Sequence, residues 1–215
     1  MSSTTRPVAQ AGLLATLLVS ALALPAHAAF VTSSTGLSLP HQTLDFEGPT
    51  LVMNQVVSNQ FQAFGVTFSN AFGNPDPSAT YPNISGNRIG NFQGGVGNQG
   101  TLVMNFSNVL SSVAFAMISA QGTSTIQACL GNALVETATI GTNATSSNNY
   151  YGFDGVQFDR VTLSVASFDR ALMIDNLQTI AATTAVPEPA GWALVGLALL
   201  GLGAFSRQRG RPGPR

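Results

Sequence analysis

Arg160-Val161-Thr162-Leu163-Ser164-Val165 alternates apolar and polar side chains after its opening arginine. A β-strand turns successive side chains to opposite faces, so Val161, Leu163 and Val165 point to a core while Thr162 and Ser164 meet water. Working outward, further short runs of strand character recur at 43–47, 56–64, 66–69, 101–106, 113–119, 125–130, 134–140, 156–158 and 172–177, bounded by Gly, Asn, Pro and Ser. Almost none reaches helical length. The pattern predicts an all-β domain, an antiparallel β-sandwich of the jelly-roll kind.

Composition agrees. Charged residues make up 8% of the chain against 45% hydrophobic, so the polar surface must come from Ser, Thr, Asn, Gln and Gly. That balance suits a secreted β-protein better than a cytosolic helical one. The chain has no lysine, and between residues 29 and 185 three arginines (Arg88, Arg160, Arg170) stand against eight carboxylates, a formal charge of −5. Such a domain is not a nucleic-acid binder. Cys129 is the only cysteine, which excludes an intrachain disulfide or a cysteine-based zinc site. It reads as a buried small hydrophobe, with an exposed thiol or an intermolecular bridge as the alternative.

The two ends read as targeting segments. Arg6 precedes an apolar run at 11–24, then Pro25 and Ala26-His27-Ala28-Ala29, the pattern of a secretory signal peptide at 1–28 with cleavage after Ala28. A β-domain over 29–185 follows, about 155 residues and enough for one core. The tail at 186–215 opens with Val186-Pro187-Glu188-Pro189, continues as an apolar helix at 190–205, and ends with Arg207, Arg209, Arg211 and Arg215. Sixteen residues at 1.5 Å rise give roughly 24 Å, slightly short of a bilayer core, and can span if the membrane thins. Arginines beyond the segment stay cytoplasmic, which leaves the domain outside.

This order of motif, apolar span and basic end resembles the PEP-CTERM sorting signal of Gram-negative bacteria. The resemblance covers about the last thirty residues. It implies that an exosortase in the inner membrane recognises Pro187, Glu188 and Pro189 as substrate and processes the tail, in cells that make exopolysaccharide. The chain would be held by the inner membrane transiently, then released to the cell surface or extracellular matrix.

Within the domain, Thr43-Leu44-Asp45-Phe46-Glu47, Phe64-Gly65-Val66-Thr67-Phe68 and Ile174-Asp175-Asn176-Leu177 occur in the order seen in carbohydrate-binding-module-like jelly rolls. Gly100-Thr101-Leu102-Val103-Met104-Asn105-Phe106 and Val113-Ala114-Phe115-Ala116 are similar to that group too. The resemblance implies that the first and last long strands lie near one another. Asp45 and Glu47 would share one strand face, and Asp175 would join them. Related jelly rolls hold a structural calcium at such places, so the three are candidate ligands; the alternative is carboxylates that are solvated or capped by turn amides.

Gly95-Val96-Gly97-Asn98-Gln99-Gly100 has the letters of a dinucleotide fingerprint, but a strand follows it where the fingerprint needs a helix. It reads as a loop. Tyr150, Tyr151 and Phe153, within 148–155, offer aromatic faces and flanking amides to a sugar, or else close one end of the sandwich. His41 is the only histidine left after signal cleavage, and no serine stands in Gly-x-Ser-x-Gly, so no triad is supported. The expectation is a non-enzymatic structural or adhesive module linked to exopolysaccharide or biofilm. A lectin-like glycan-binding module is the alternative, and a carboxylate-dependent polysaccharide hydrolase the third reading. Partners are signal peptidase, exosortase and polysaccharide.

Overall fold

The segment 160–165 is the second half of a much longer strand, and its length explains the architecture. The computed structural model describes residues 29–76, 78, 80–94, 97–166 and 171–183. The signal peptide and the sorting tail, with Pro187, Glu188 and Pro189, lie outside the described residues. Among the described residues no helix is long and apolar enough to cross a membrane.

In chain order the strands are β1 (Ala29–Ser33), β2 (Gln42–Leu44), β3 (Val56–Val57), β4 (Val66–Ser69), β5 (Ala71–Gly73), β6 (Ile89–Gly90) and β7 (Phe92–Gln93). They continue as β8 (Gly97–Asn98), β9 (Leu102–Ser119), β10 (Gly122–Leu130), β11 (Ala133–Thr142), β12 (Tyr150–Val165) and β13 (Leu172–Ala181). A 3-10 turn at Gln62–Phe64 precedes β4. Among the described residues the fold is all-β, and its strand pairs are antiparallel.

β9 and β12 run the length of the molecule and pair with each other twice. Leu102 to Asn105 face Leu163 to Arg160, and Ser112 to Ala116 face Asp154 to Tyr150. Between those stretches the register slips at Asp154/Phe158 and again at Phe158/Arg160. Bulges of this kind bend a strand and raise its twist, and here they crease one continuous sheet into two leaves. Leaf I is β4, the first half of β9, the second half of β12, β10 and β11. Leaf II is β1, the first half of β12, the second half of β9, and β13, which carries β2 and β6. β7 and β8 form a separate ribbon.

The inner rows of both leaves line one core. Leu102, Met104, Ile126, Val161 and Leu163 come from leaf I, and Val113, Phe115, Met117, Phe153, Ile174 and Leu177 from leaf II. Phe46, Phe61 and Phe68 pack edge-on beside them, with ring centroids 5.0 to 6.1 Å apart, the geometry aromatic quadrupoles favour. Leaf II is buried on its outer face too, where Ala114, Ala116, Ile118 and Tyr150 pack with Leu37 and Ile84 from covering loops. This is why Ser112 to Ser119 is buried without alternation. Gly152 is needed where β12 meets β9, because a Cβ there would collide with the Val113 carbonyl.

One covering loop is stapled by Arg88. Its buried guanidinium lies 3.4 Å from Asp76 and 5.6 Å over the Tyr81 ring, and its Nε donates to Met173 Sδ. Cys129 is a free, buried thiol in β10.

Candidate functional site

β2 pairs with β13 through Leu44 and Leu177, so the two ends of the domain do meet. The strand stops at Leu44, however, where the sequence predicts it to run to Glu47. Phe46 takes φ 60°, a left-handed turn that sends its ring into the core. Asp45 and Glu47 therefore sit in a turn rather than on one strand face. Asp45 Oδ1 accepts the Glu47 N–H (3.1 Å), and Glu47 Oε1 accepts the Asn87 N–H (2.7 Å).

Asp175 on β13 is 1% exposed and accepts the Ser85 N–H (3.0 Å) and the Asn176 N–H (2.6 Å). Burial pushes its carboxyl up to about 7; the two backbone N–H groups oppose that rise, and the charges of Glu47 and Asp45 add to it. Asp175 in turn adds to the upward shift that burial imposes on Tyr150. The three predicted calcium ligands thus share one neighbourhood, as carboxylates that hold turn amides. Among the described residues no three His, Cys, Asp or Glu side chains converge as a metal site.

Tyr150, Tyr151 and Phe153, expected in a loop, open strand β12 and are buried. β1 pairs along them on one side and β9 on the other. Phe30 of β1 lies against both Tyr151 and Phe153, with centroids 6.4 and 5.8 Å away. The rings are packing elements, and their faces are not offered to a sugar. The glycine-rich segment is likewise structural: β8 occupies Gly97–Asn98, and the strand β9 follows.

The recess that sequence reasoning missed lies at the crease. There β9 leaves one leaf for the other, and the 3-10 turn, β2 and the end of β13 close around a pocket of about 280 Å³. Its floor is apolar, with Leu44, Val66, Leu110 and Leu177. Phe64 and Phe106 form aromatic walls, and Phe64 is 42% exposed. Gly65 ends the 3-10 turn at φ 76°, and its carbonyl accepts the Ser107 N–H; this positions Phe64 at the mouth. The polar lining is His41, Gln42, Ser107, Asn108 and Thr179. His41 is fixed by its own N–H, which donates to Thr179 O, and by Nδ1, which accepts the Ala181 N–H at 3.4 Å.

No carboxylate, lysine or arginine lines this pocket. It offers aromatic surface plus amide, hydroxyl and imidazole groups, which is the usual make-up of a small-molecule site. A signal for it was present in the sequence. Leu44, Phe64-Gly65-Val66 and Leu177 belong to the three ordered motifs, and the structure brings all three to one recess.

No family model matches the chain, and no curated protein matches it. Among solved structures the chain is similar to a family 6 carbohydrate-binding module whose binding sub-sites were dissected by crystallography and isothermal titration calorimetry. The identity is 12% and the TM-score 0.32, over 62% of this chain and 94% of that one. It is also similar to the Stig cyclase Fisc from Fischerella sp. TAU, solved in complex with (3Z)-3-(1-methyl-2-pyrrolidinylidene)-3H-indole. That identity is 11% and the TM-score 0.30, over 65% and 95% of the two chains. Likenesses this loose carry no argument about what this chain binds.

Proposed function

We propose that this chain is a non-enzymatic surface or matrix protein whose jelly-roll domain holds a neutral saccharide in the crease pocket. The signal peptide exports it, and the tail, with Pro187, Glu188 and Pro189, delivers it through an exosortase to the polysaccharide envelope of a Gram-negative cell. The observation that carries the reading is the pocket itself, aromatic-walled, apolar-floored and lined by amides, hydroxyls and one imidazole. A pyranose presents C–H faces that pack on an aromatic ring and hydroxyls that exchange hydrogen bonds with amides and hydroxyls. No carboxylate, lysine or arginine lines it, so the pocket holds no permanent charge to pair with an acidic sugar. About 280 Å³ matches one ring rather than a long chain, so the module would grip a terminal or protruding residue.

The test is binding of purified chain to a panel of neutral and acidic glycans, repeated with Phe64→Ala. Removing a wall ring costs about 2 kcal/mol, roughly thirtyfold in affinity. Glycan binding that ignores the substitution would overturn the assignment, and glycan turnover abolished by one carboxylate change would select a hydrolase instead.

A further inference from the structure

β11 is the long open edge of the sheet. It pairs with β10 on one side, and among the described residues no strand pairs with its other side. The sheet's other edge strands are brief: five residues in β1, three in β2, four in β4 and two in β3, against ten in β11. Long edges present rows of unpaired N–H and C=O groups and are normally blunted by Lys, Pro or shortness. β11 reads Ala-Leu-Val-Glu-Thr-Ala-Thr-Ile-Gly-Thr, with no proline and no basic residue. Its one carboxylate, Glu136, accepts the Thr137 N–H at 3.0 Å. The core is also open along this edge. Val135, Ala138 and Ile140 pack on the core yet are only partly buried, and Leu134 is 54% exposed.

We propose that β11 pairs antiparallel with β11 of a second copy of this chain, joining leaf I of the two copies into one sheet. Strand composition makes the edge self-complementary. Side chains alternate, and a two-fold axis perpendicular to the sheet keeps each residue on its own face, so only same-parity residues can oppose one another. An axis at Ala138 sets Thr137 opposite Thr139 and Glu136 opposite Ile140; an axis at Thr137 sets Glu136 opposite Ala138. Neither brings two Glu136 carboxylates together, and both cover the partly exposed Ala138 and Ile140. Glu136 must release the Thr137 N–H for the new ladder to form, so it acts as a brake on pairing. The contact is confined to one ten-residue edge from each copy, so the pairing is concentration-dependent. That suits a protein concentrated in an envelope.

The experiment is cysteine cross-linking of the full chain in mild detergent, in a Cys129→Ser background. Thr137→Cys reports an axis at residue 137, Ala138→Cys an axis at 138, and Ser69→Cys on the short edge β4 controls for association through the tail. The expected result is a disulfide dimer of twice the chain mass from one of the first two, at least tenfold faster than from the control. Thr139→Lys should suppress it and Glu136→Ala, which removes the acceptor for the Thr137 N–H, accelerate it. Equal rates at all three positions, or cross-links only to other proteins, would overturn the proposal. Should Cys129→Ser unfold the chain, amide hydrogen exchange of the unaltered protein decides. Protection of the outward-facing Thr137 and Thr139 amides that rises with protein concentration supports pairing between copies; their complete protection in dilute solution means the edge is covered within one chain and contradicts it.

Discussion

Asp175 carries a proton in the folded chain at pH values where an unfolded aspartate has lost it. Its ordinary value of 3.8 rises to about 7 mainly through burial. Between those values the native state binds the extra proton, so stability falls as pH rises. The contribution is whole below about pH 4 and lost once pH has passed about 7, up to about 4 kcal/mol. Asp175→Asn keeps an acceptor oxygen without a titrating charge. Thermal melts from pH 4 to 8 should show a declining melting temperature in the natural chain and a flatter profile in the variant; an unchanged slope would remove Asp175 as its source. Calcium that bound the trio would hold Asp175 ionised and erase the slope, so the same scan with calcium reads whether the cluster takes a cation. The sequence placed Asp45, Glu47 and Asp175 in one region, because pairing of the end strands was legible in their motifs. It did not foretell the turn at Phe46, since a left-handed Phe is stabilised by core contacts distant in sequence.

Strands with one wet face were legible as elements: 125–130, 160–165 and 172–177 all fall within observed strands, because their alternation is local. The runs 101–106 and 113–119 read as two strands yet form one, as β9 crosses the crease at exposed Ser107 to Val109, where the alternation lapses. β5 to β8 are two or three residues long and too short to show a period. Tyr150 to Phe153 read as a loop because Asn, Gly and Asp flank them, whereas pairing with β1 and β9 makes them strand. One side chain ties the ribbon of β7 and β8 to β13. Asn91 is fully buried; its Nδ2 donates to Asn98 Oδ1 and Gly100 O, and its Oδ1 accepts the Leu172 N–H at 2.9 Å. Asn91→Ala leaves the buried Leu172 N–H without its acceptor and should cost about 2 kcal/mol in urea unfolding; a loss under about 1 kcal/mol would show that the ribbon is anchored elsewhere.

At the scale of the whole molecule, the crease that lets one sheet serve as two leaves also opens the pocket, so fold and proposed site have one cause. The pocket was illegible as a site because it is assembled from β2, the 3-10 turn, the middle of β9 and the end of β13, none of which signals binding alone. The proposed delivery rests on the tail. A reporter fused after Phe205 should be cytoplasmic and deletion of 190–205 should change the protein's destination; a periplasmic reporter would contradict the proposed topology. The most direct measurement of the central claim is an amide chemical-shift titration of the folded chain with a neutral monosaccharide glycoside that it binds. The account predicts shifts concentrated at Gln42, Gly65, Ser107, Asn108 and Thr179 and lost in Phe64→Ala. Saturable shifts elsewhere, with these amides unmoved, would contradict it.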